Sequence, residues 1–391
     1  MKKVLMTNAK IVDVLDKKLI EGSILVEDGM IKAVGDVACD DAEIMDMGGK
    51  TILPGLFNCH THICMAPKAD PNGPALSDAQ VTMLAIKHLK EYLSCGVTFV
   101  RDAGGRNFID VDIRDAIKAG ELTGVPDLQV SGRCICMTGG HGHRNGREAD
   151  GVDECRKASR EMLKKGVDWV KIMATGGVMT KGVEPGSAQL EEDEMHAAVV
   201  EAHKVGVKTM THAQGTTGIK NALRAGLDSI EHGCFLDDEC IELMKKNNTW
   251  LVATLCPPYF ILKHGVEAGI PDYAVRKAKF NIDSHFASFR KAYAAGIKCA
   301  CGTDAGTPFN LHSASAYELV LMVGEGLTPM QAIEVATINS AELCEVDSIL
   351  GSITPGKKAH FAVFEKNPLD DINNILDCCM TIKNGEVVYS K

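Results

Sequence analysis

Aromatic residues are scarce. Two Trp, six Tyr and eleven Phe make up 5% of the 391 residues, so the core must be built from Val, Ile, Leu, Ala and Met. No apolar run approaches the length of a membrane span, which argues against a helical membrane protein. There is no basic stripe, and the formal net charge is -10. Both facts argue against a nucleic-acid surface or a polybasic membrane patch. The 15 cysteines include no Cys-x-x-Cys pair. The first ten residues lack a long apolar segment and a small-residue cleavage site. The expectation is therefore reduced thiols in a cytoplasm, with Cys134/Cys136, Cys299/Cys301 and Cys378/Cys379 acting as small packing residues.

What is present has an order. Residues 1 to about 50 read as short strands with turns, including a hairpin turn at Asp28-Gly29. From Leu53 the pattern changes to strands alternating with long helical segments, as parallel βα units require. Eight strands are expected: residues 51–62, 97–102, 127–133, 168–173, 207–212, 229–232, 249–255 and 297–304. Helices are expected at 78–94, 152–165, 191–205, 216–225, 237–246, 272–295, 312–324 and 328–345. Eight such units point to an α/β fold, a (β/α)8 TIM barrel over 53–350. Residues 351–391 return to strands with an Asn384-Gly385 turn. Together with 1–52 they are expected to form a small β-sandwich built from both chain ends.

Polar residues gather at the ends of these strands. His60 and His62 sit two apart, so on a strand they project together. Asp102, His141, Lys171, His212, His232 and Asp304 end other strands or open the loops after them. Each alone has a plain explanation. His212 could be a hydrogen-bonded core residue, Asp304 a helix cap, Lys171 a snorkelling amine. Their joint placement at the face where barrel enzymes carry chemistry points instead to a metal site. Lys171 is the informative member, lying inside the apolar strand Trp169-Val-Lys-Ile-Met. Burial lowers the pKa of an ammonium. The neutral amine can take up carbon dioxide as a carbamate, which becomes an anionic ligand able to bridge two ions. A binuclear centre is the expectation.

The strings Leu53-Pro-Gly-Leu-Phe-Asn-Cys-His-Thr-His, Val170-Lys-Ile-Met-Ala-Thr-Gly-Gly, Thr211-His-Ala, Ser229-Ile-Glu-His-Gly and Gly302-Thr-Asp-Ala-Gly resemble the amidohydrolase superfamily. Within it the chain resembles the prolidase-like (Xaa-Pro dipeptidase) and imidazolonepropionase-related group. Gly326-Leu-Thr-Pro-Met-Gln-Ala-Ile-Glu, Asn339-Ser-Ala-Glu-Leu and Gly351-Ser-Ile-Thr-Pro-Gly-Lys extend the likeness over nearly the whole chain. The resemblance implies that His60, His62 and Asp304 bind the deeper of two divalent ions and that His212 and His232 bind the second. Lys171, as N6-carboxylysine, would bridge them beside a bridging hydroxide. Zinc is the default ion, while manganese, cobalt or iron also suit these ligands. Asp304 would shuttle the proton to the leaving amine, and His141 would help polarise the carbonyl. Asp102 would orient a ligand from behind or serve as a strand-end turn residue.

One position departs from the group. Relatives that act on dipeptides commonly read His-Ala-Tyr after strand five, with the Tyr helping to hold the substrate carboxylate; here the string is His212-Ala213-Gln214. The loop after strand three carries His141, His143 and Arg144. Arg144 could replace the Tyr as a carboxylate clamp, and His143 and Gln214 are further substrate-contact candidates. His312 could face the pocket, but the reading as a helix N-terminal residue is favoured; His88, His196, His203, His264 and His285 are read as surface residues. The expected activity is hydrolysis of a C–N amide bond in a small substrate, a dipeptide or N-acyl amino acid. A mononuclear deaminase or cyclic-amide hydrolase and a non-catalytic assembly protein are the alternatives. Lys171 speaks against the first and the full ligand set against the second. Neither nucleic acid nor membrane is expected as a partner, and a homo-oligomer is compatible with the sequence.

Overall fold

Both expected hairpin turns form for the same reason. Asp28 and Gly29 have φ of 49° and 78°, and Asn384 and Gly385 have φ of 51° and 73°. Two successive residues with positive φ match the right-handed twist of the strands they join. The computed structural model describes residues 2–70 and 76–391. The hairpins belong to one eight-stranded sheet. Its order is Glu386–Ser390, Cys378–Lys383, Phe361–Phe364, Thr51–Pro54, Lys3–Asp13, Lys18–Glu27 and Met30–Gly35, with Glu43–Asp46 pairing on Lys3–Asp13. The two chain ends meet where Thr51–Pro54 runs antiparallel to Phe361–Phe364.

The expected strand 51–62 is interrupted at Gly55. Thr51–Pro54 stays in the end sheet, and Leu56–Thr61 enters the parallel system. The Gly55 N–H donates to His360 O. A Cβ at Gly55 would lie 2.2 Å from Thr98 Oγ1, so only glycine fits this crossing.

The parallel strands form a TIM-barrel-like ring. Leu56–Thr61 pairs with Val97–Asp102, which pairs with Asp127–Gln129. Trp169–Met173, Lys208–Ala213, Ser229–His232 and Trp250–Val252 follow in register. Backbone bonds join the remaining neighbours. Val130 O accepts from Trp169 N, Leu251 N donates to Lys298 O, and Cys59 N donates to Cys301 O at 2.7 Å. The eighth expected strand is thus a bonded segment rather than a regular ladder.

Most expected helices occur within a few residues of their expected bounds. The chain also forms Ile109–Lys118, with Ile109 and Ile113 buried, and Cys256–His264, which carries prolines in its first turn. Proline is tolerated there because the first N–H groups lack helical partners anyway. The expected helix 328–345 changes character in the middle, with a π-helical turn over Val335–Asn339. All fifteen cysteines are unpaired. Among the described residues no helix is long and apolar enough to cross a membrane.

Candidate active site

His60 is 1% exposed at the end of the first barrel strand. Its Nδ1–H donates to Glu231 Oε2 at 2.6 Å, which leaves Nε2 as the free donor atom, 3.7 Å from Asp304 Oδ1. His62 follows the same pattern. Nδ1 faces Gly104 O at 3.3 Å, and Nε2 lies 3.1 Å from the same Asp304 oxygen. His232 Nδ1–H donates to Thr254 Oγ1 at 2.6 Å, and the Thr254 hydroxyl donates in turn to Ala253 O. His212 gives Nε2–H to Gly176 O at 3.0 Å, leaving Nδ1. The His60, His212 and His232 rings are each fixed through one nitrogen and keep the other without a hydrogen bond, as a metal-ligating imidazole requires, while the second nitrogen of His62 meets Asp304. His60, His232 and Asp304 offer donor atoms within 4.8 Å of one another. The His212 and His232 rings are 4.5 Å apart between centroids. The donor set therefore fits divalent ions of the zinc type.

Backbone strain contributes to this convergence. On a regular strand Glu231 and His232 would face opposite sides. His232 has φ of 71°, Thr254 52° and Asp304 54°, left-handed values that non-glycine residues seldom adopt. These turns bring His232 and Asp304 onto the cavity while Glu231 points into the barrel.

Lys171 is 1% exposed on the fourth strand, and no described residue accepts a hydrogen bond from it. Burial pulls its pKa down, against the opposing pull of Glu231 and Asp304. Burial and the Lys171 charge hold His60 well below the usual imidazole range. His212 and His232 are likewise held down, by burial and then by neighbouring imidazoles and Lys171. His62 goes the other way. Burial lowers it, but the hydrogen bond and charge of Asp304 more than offset this. Three of the four rings are thus held in the neutral form that binds metals.

His60, His62, His141, His143, Arg144, Lys171, His212, Gln214, His232 and Asp304 all line one cavity of about 760 Å³. Asp102 lies behind it, with Oδ2 accepting from Ile63 N at 2.7 Å and Oδ1 from Gly104 N at 3.0 Å. It fixes the two backbone segments that flank His62. The His141 ring lies 4.3 Å from that of His212, tilted by 43°, and its Nδ1 meets Thr180 Oγ1 at 2.8 Å. Burial and the Lys171 charge push its pKa down to about 3. Arg144 is exposed at the mouth and makes no hydrogen bond or ion pair with the described residues.

Several residues escaped the sequence. Glu231 and Arg101 are buried inside the barrel beneath the site. Asn281 and His285, from the helix Asp272–Ala294, line the cavity. Asn281 Nδ2 donates to Gln214 Oε1 at 3.2 Å, and its Oδ1 is buried with no partner. The surface assignment fails for His88 and His285, which are 3% and 2% exposed because they lie on the inward faces of their helices. His264 is half-buried and stacks on Phe309. His196 and His203 are exposed as expected. His312 opens a short helical turn as expected, but it is fully buried and donates to His62 O.

Residues 51–388 match the profile of the amidohydrolase family. This chain belongs to that family. It is 31% identical over 355 residues to ochratoxinase of Aspergillus niger, across 82% of this chain and 71% of that protein. The crystal structure of a Xaa-Pro dipeptidase with methionine in its active site has a TM-score of 0.92 and 31% identity over 100% of both chains. A prolidase complexed with N-methylphosphonate-L-proline has a TM-score of 0.91 and 28% identity over 100% of both chains. The amidohydrolase described here is accordingly a hydrolytic enzyme.

Proposed function

We propose that this amidohydrolase cleaves the C–N amide bond of a dipeptide or N-acyl amino acid at a binuclear metal centre. One observation carries the reading. Four imidazoles, one buried amine and one carboxylate surround a single cavity floor, and each imidazole is anchored on its far side. His60, His62 and Asp304 would hold one divalent ion, His212 and His232 the other, and the carbamate of Lys171 would lie between them. Zinc is the ion we expect. When bound, the ions lower the pKa of water and polarise a carbonyl.

The chain's own residues do the rest. Asp304 accepts the proton of the attacking water and returns it to the departing nitrogen, so that an amine rather than an amide anion leaves. His141, held neutral and hydrogen-bonded to Thr180, sits where it can steady the carbonyl oxygen. Gln214 and His143 border the substrate space, and Arg144 at the mouth suits a substrate carboxylate. The methionine and the proline phosphonate bound by the two structural relatives support an amino-acid product. A mononuclear centre would leave Lys171 without a role.

The same proposal takes residues 53–350 as the catalytic domain and folds the end sheet over itself as a sandwich. Val4, Met6, Ile24, Ile52, Phe361 and Ile382 form one buried cluster, which supports this. A cytoplasmic setting fits the fifteen unpaired thiols.

The test is a panel of dipeptides, N-acyl amino acids and cyclic amides offered to zinc-loaded enzyme, with Asp304→Asn alongside. We expect turnover of linear amides bearing a free carboxylate, and a fall in kcat of about 10²–10⁴-fold in the variant. Arg144→Ala should raise KM for these substrates and not for their carboxamides. No turnover of any linear amide overturns the reading.

A further inference from the structure

Two histidines outside the cavity lie face to face in the protein interior. His88, on the helix Asp78–Leu93, and His312, in the turn His312–Ala314, stack with ring centroids 3.8 Å apart and planes 14° apart. They are 3% and 0% exposed. His88 Nδ1 meets Ile63 O at 2.8 Å, and His312 Nε2 meets His62 O at 3.2 Å. A carbonyl oxygen only accepts, so each of these nitrogens carries the proton. The lone pairs are therefore on His88 Nε2 and His312 Nδ1.

One of those lone pairs has no partner in the fold. His312 Nδ1 is fully buried with no hydrogen-bond partner. Burying such a group unsatisfied is unfavourable, since it gives up its hydrogen bond to water and gains none in return. Glu91 lies three residues after His88 on the same helix, half-buried, and among the described residues it makes one ion pair, a 3.6 Å contact to the exposed Lys87. The three side chains bring one donor atom each within 4.8 Å of one another. Ring stacking alone would explain the two histidines but not a carboxylate at the same point.

We infer that His88, Glu91 and His312 form a separate binding site for a zinc-type divalent cation, with water completing its shell. Two neutral imidazoles and one carboxylate are a ligand set that zinc accepts. Ligands around tetrahedral zinc stand roughly 3.3 Å apart, so binding draws the three groups together and splays the stacked rings. None of the three lines the catalytic cavity. The ion would tie the first barrel helix to the turn after the eighth barrel segment. Through the two carbonyl bonds it would brace residues 62 and 63, and hence the backbone of His62. The inference stands independently of the amide reading, because it concerns a different ligand set.

The test counts metal rather than turnover. Purified enzyme is saturated with zinc, freed of unbound ion, and its zinc-to-protein ratio is measured by mass spectrometry. His312→Gln and Glu91→Gln are compared with the wild type. The expected result is one equivalent fewer in each variant, whatever number the catalytic centre holds. Glu91→Gln is the safer of the two, since Glu91 is half-exposed and does not line the cavity; its circular dichroism should match the wild type. Added zinc should also raise the Tm of wild-type enzyme further than that of Glu91→Gln. Equal zinc content in all three proteins overturns the site, and so does a loss confined to His312→Gln.

Discussion

Glu231 Oε2 accepts a hydrogen bond from His60 Nδ1 at 2.6 Å, and neither side chain reaches solvent. The same carboxylate is held from below by Arg101 Nη2 at 3.0 and 3.2 Å and by Ser229 Oγ at 2.6 Å. Arg101 in turn lies over the Trp169 ring and donates to Cys59 O. A buried charge chain therefore runs through the barrel and ends on the ring that faces Asp304.

This arrangement predicts the effect of Glu231→Gln. The amide keeps the shape but removes the charge that fixes the His60 tautomer and raises the basicity of its free nitrogen. It also leaves Arg101 buried without a counter-ion, a loss that costs about 3–5 kcal/mol where it has been measured. We expect metal affinity to fall about 10–100-fold, with a lower Tm. Titration of metal against activity separates the two effects: excess metal should restore activity at low temperature. Unchanged metal affinity would refute the role given to Glu231.

Gly177 predicts a different kind of failure. A Cβ there would fall 2.5 Å from the His141 ring, far inside van der Waals contact. The loop cannot retreat easily, because Lys277 Nζ donates to the carbonyls of Gly177, Thr180 and Val183. Gly177→Ala should therefore move His141 rather than the loop. If His141 steadies the carbonyl oxygen, kcat drops about 10²–10³-fold while metal content is unchanged. Wild-type kcat in this variant would remove His141 from the catalytic set.

Acid sensitivity should come partly from His360, at the junction of end sheet and barrel. Burial holds its pKa at about 4, against the opposing effect of Asp127, and Nε2 bonds Asn384 Oδ1 at 3.0 Å. In the unfolded chain a histidine titrates near 6.5. Between those values the unfolded state binds a proton that the folded state refuses. Stability from this group is thus complete above about pH 6.5 and lost as pH falls towards 4. His360→Gln should flatten the fall of Tm over that window by the slope of one proton. An unaltered slope would place the sensitive group elsewhere.

The residues gathered on the cavity floor were legible because metal chemistry restricts residue type and barrel architecture restricts position. His60 and His62 needed only the two-residue period of a strand, and Asp304 and His212 only a strand end. Glu231 was hidden by the same period. It neighbours His232, and a regular strand sends one of the pair away from the site; the positive φ of His232 cancels that alternation. Asn281 and His285 were hidden for another reason. They reach the cavity from a long helix, where a buried polar residue looks like any other interruption of an apolar stripe. In the helix Ile109–Lys118 the apolar spacing of Ile109, Ile113 and Ile117 is interleaved with three aspartates, which masks its amphipathic pattern.

Lys171 offers the most direct check on the binuclear reading. Its amine is buried among His60, His212 and His232, and burial favours the uncharged form. That form is a nucleophile for carbon dioxide. The resulting carbamate is unstable in water but is retained where two cations neutralise it. Metal and carbon dioxide should therefore bind together. Enzyme stripped with a chelator and returned to zinc in bicarbonate-free buffer should regain activity slowly, and bicarbonate should speed its recovery. With labelled bicarbonate, a carbamate carbon signal should appear in the NMR spectrum of the wild type and be missing from Lys171→Met. That variant lacks the bridging anion, so it should hold fewer ions per chain and lose nearly all turnover. Recovery that ignores bicarbonate, with no carbamate signal, would mean that Lys171 acts as an amine, and the binuclear centre would lose its bridge.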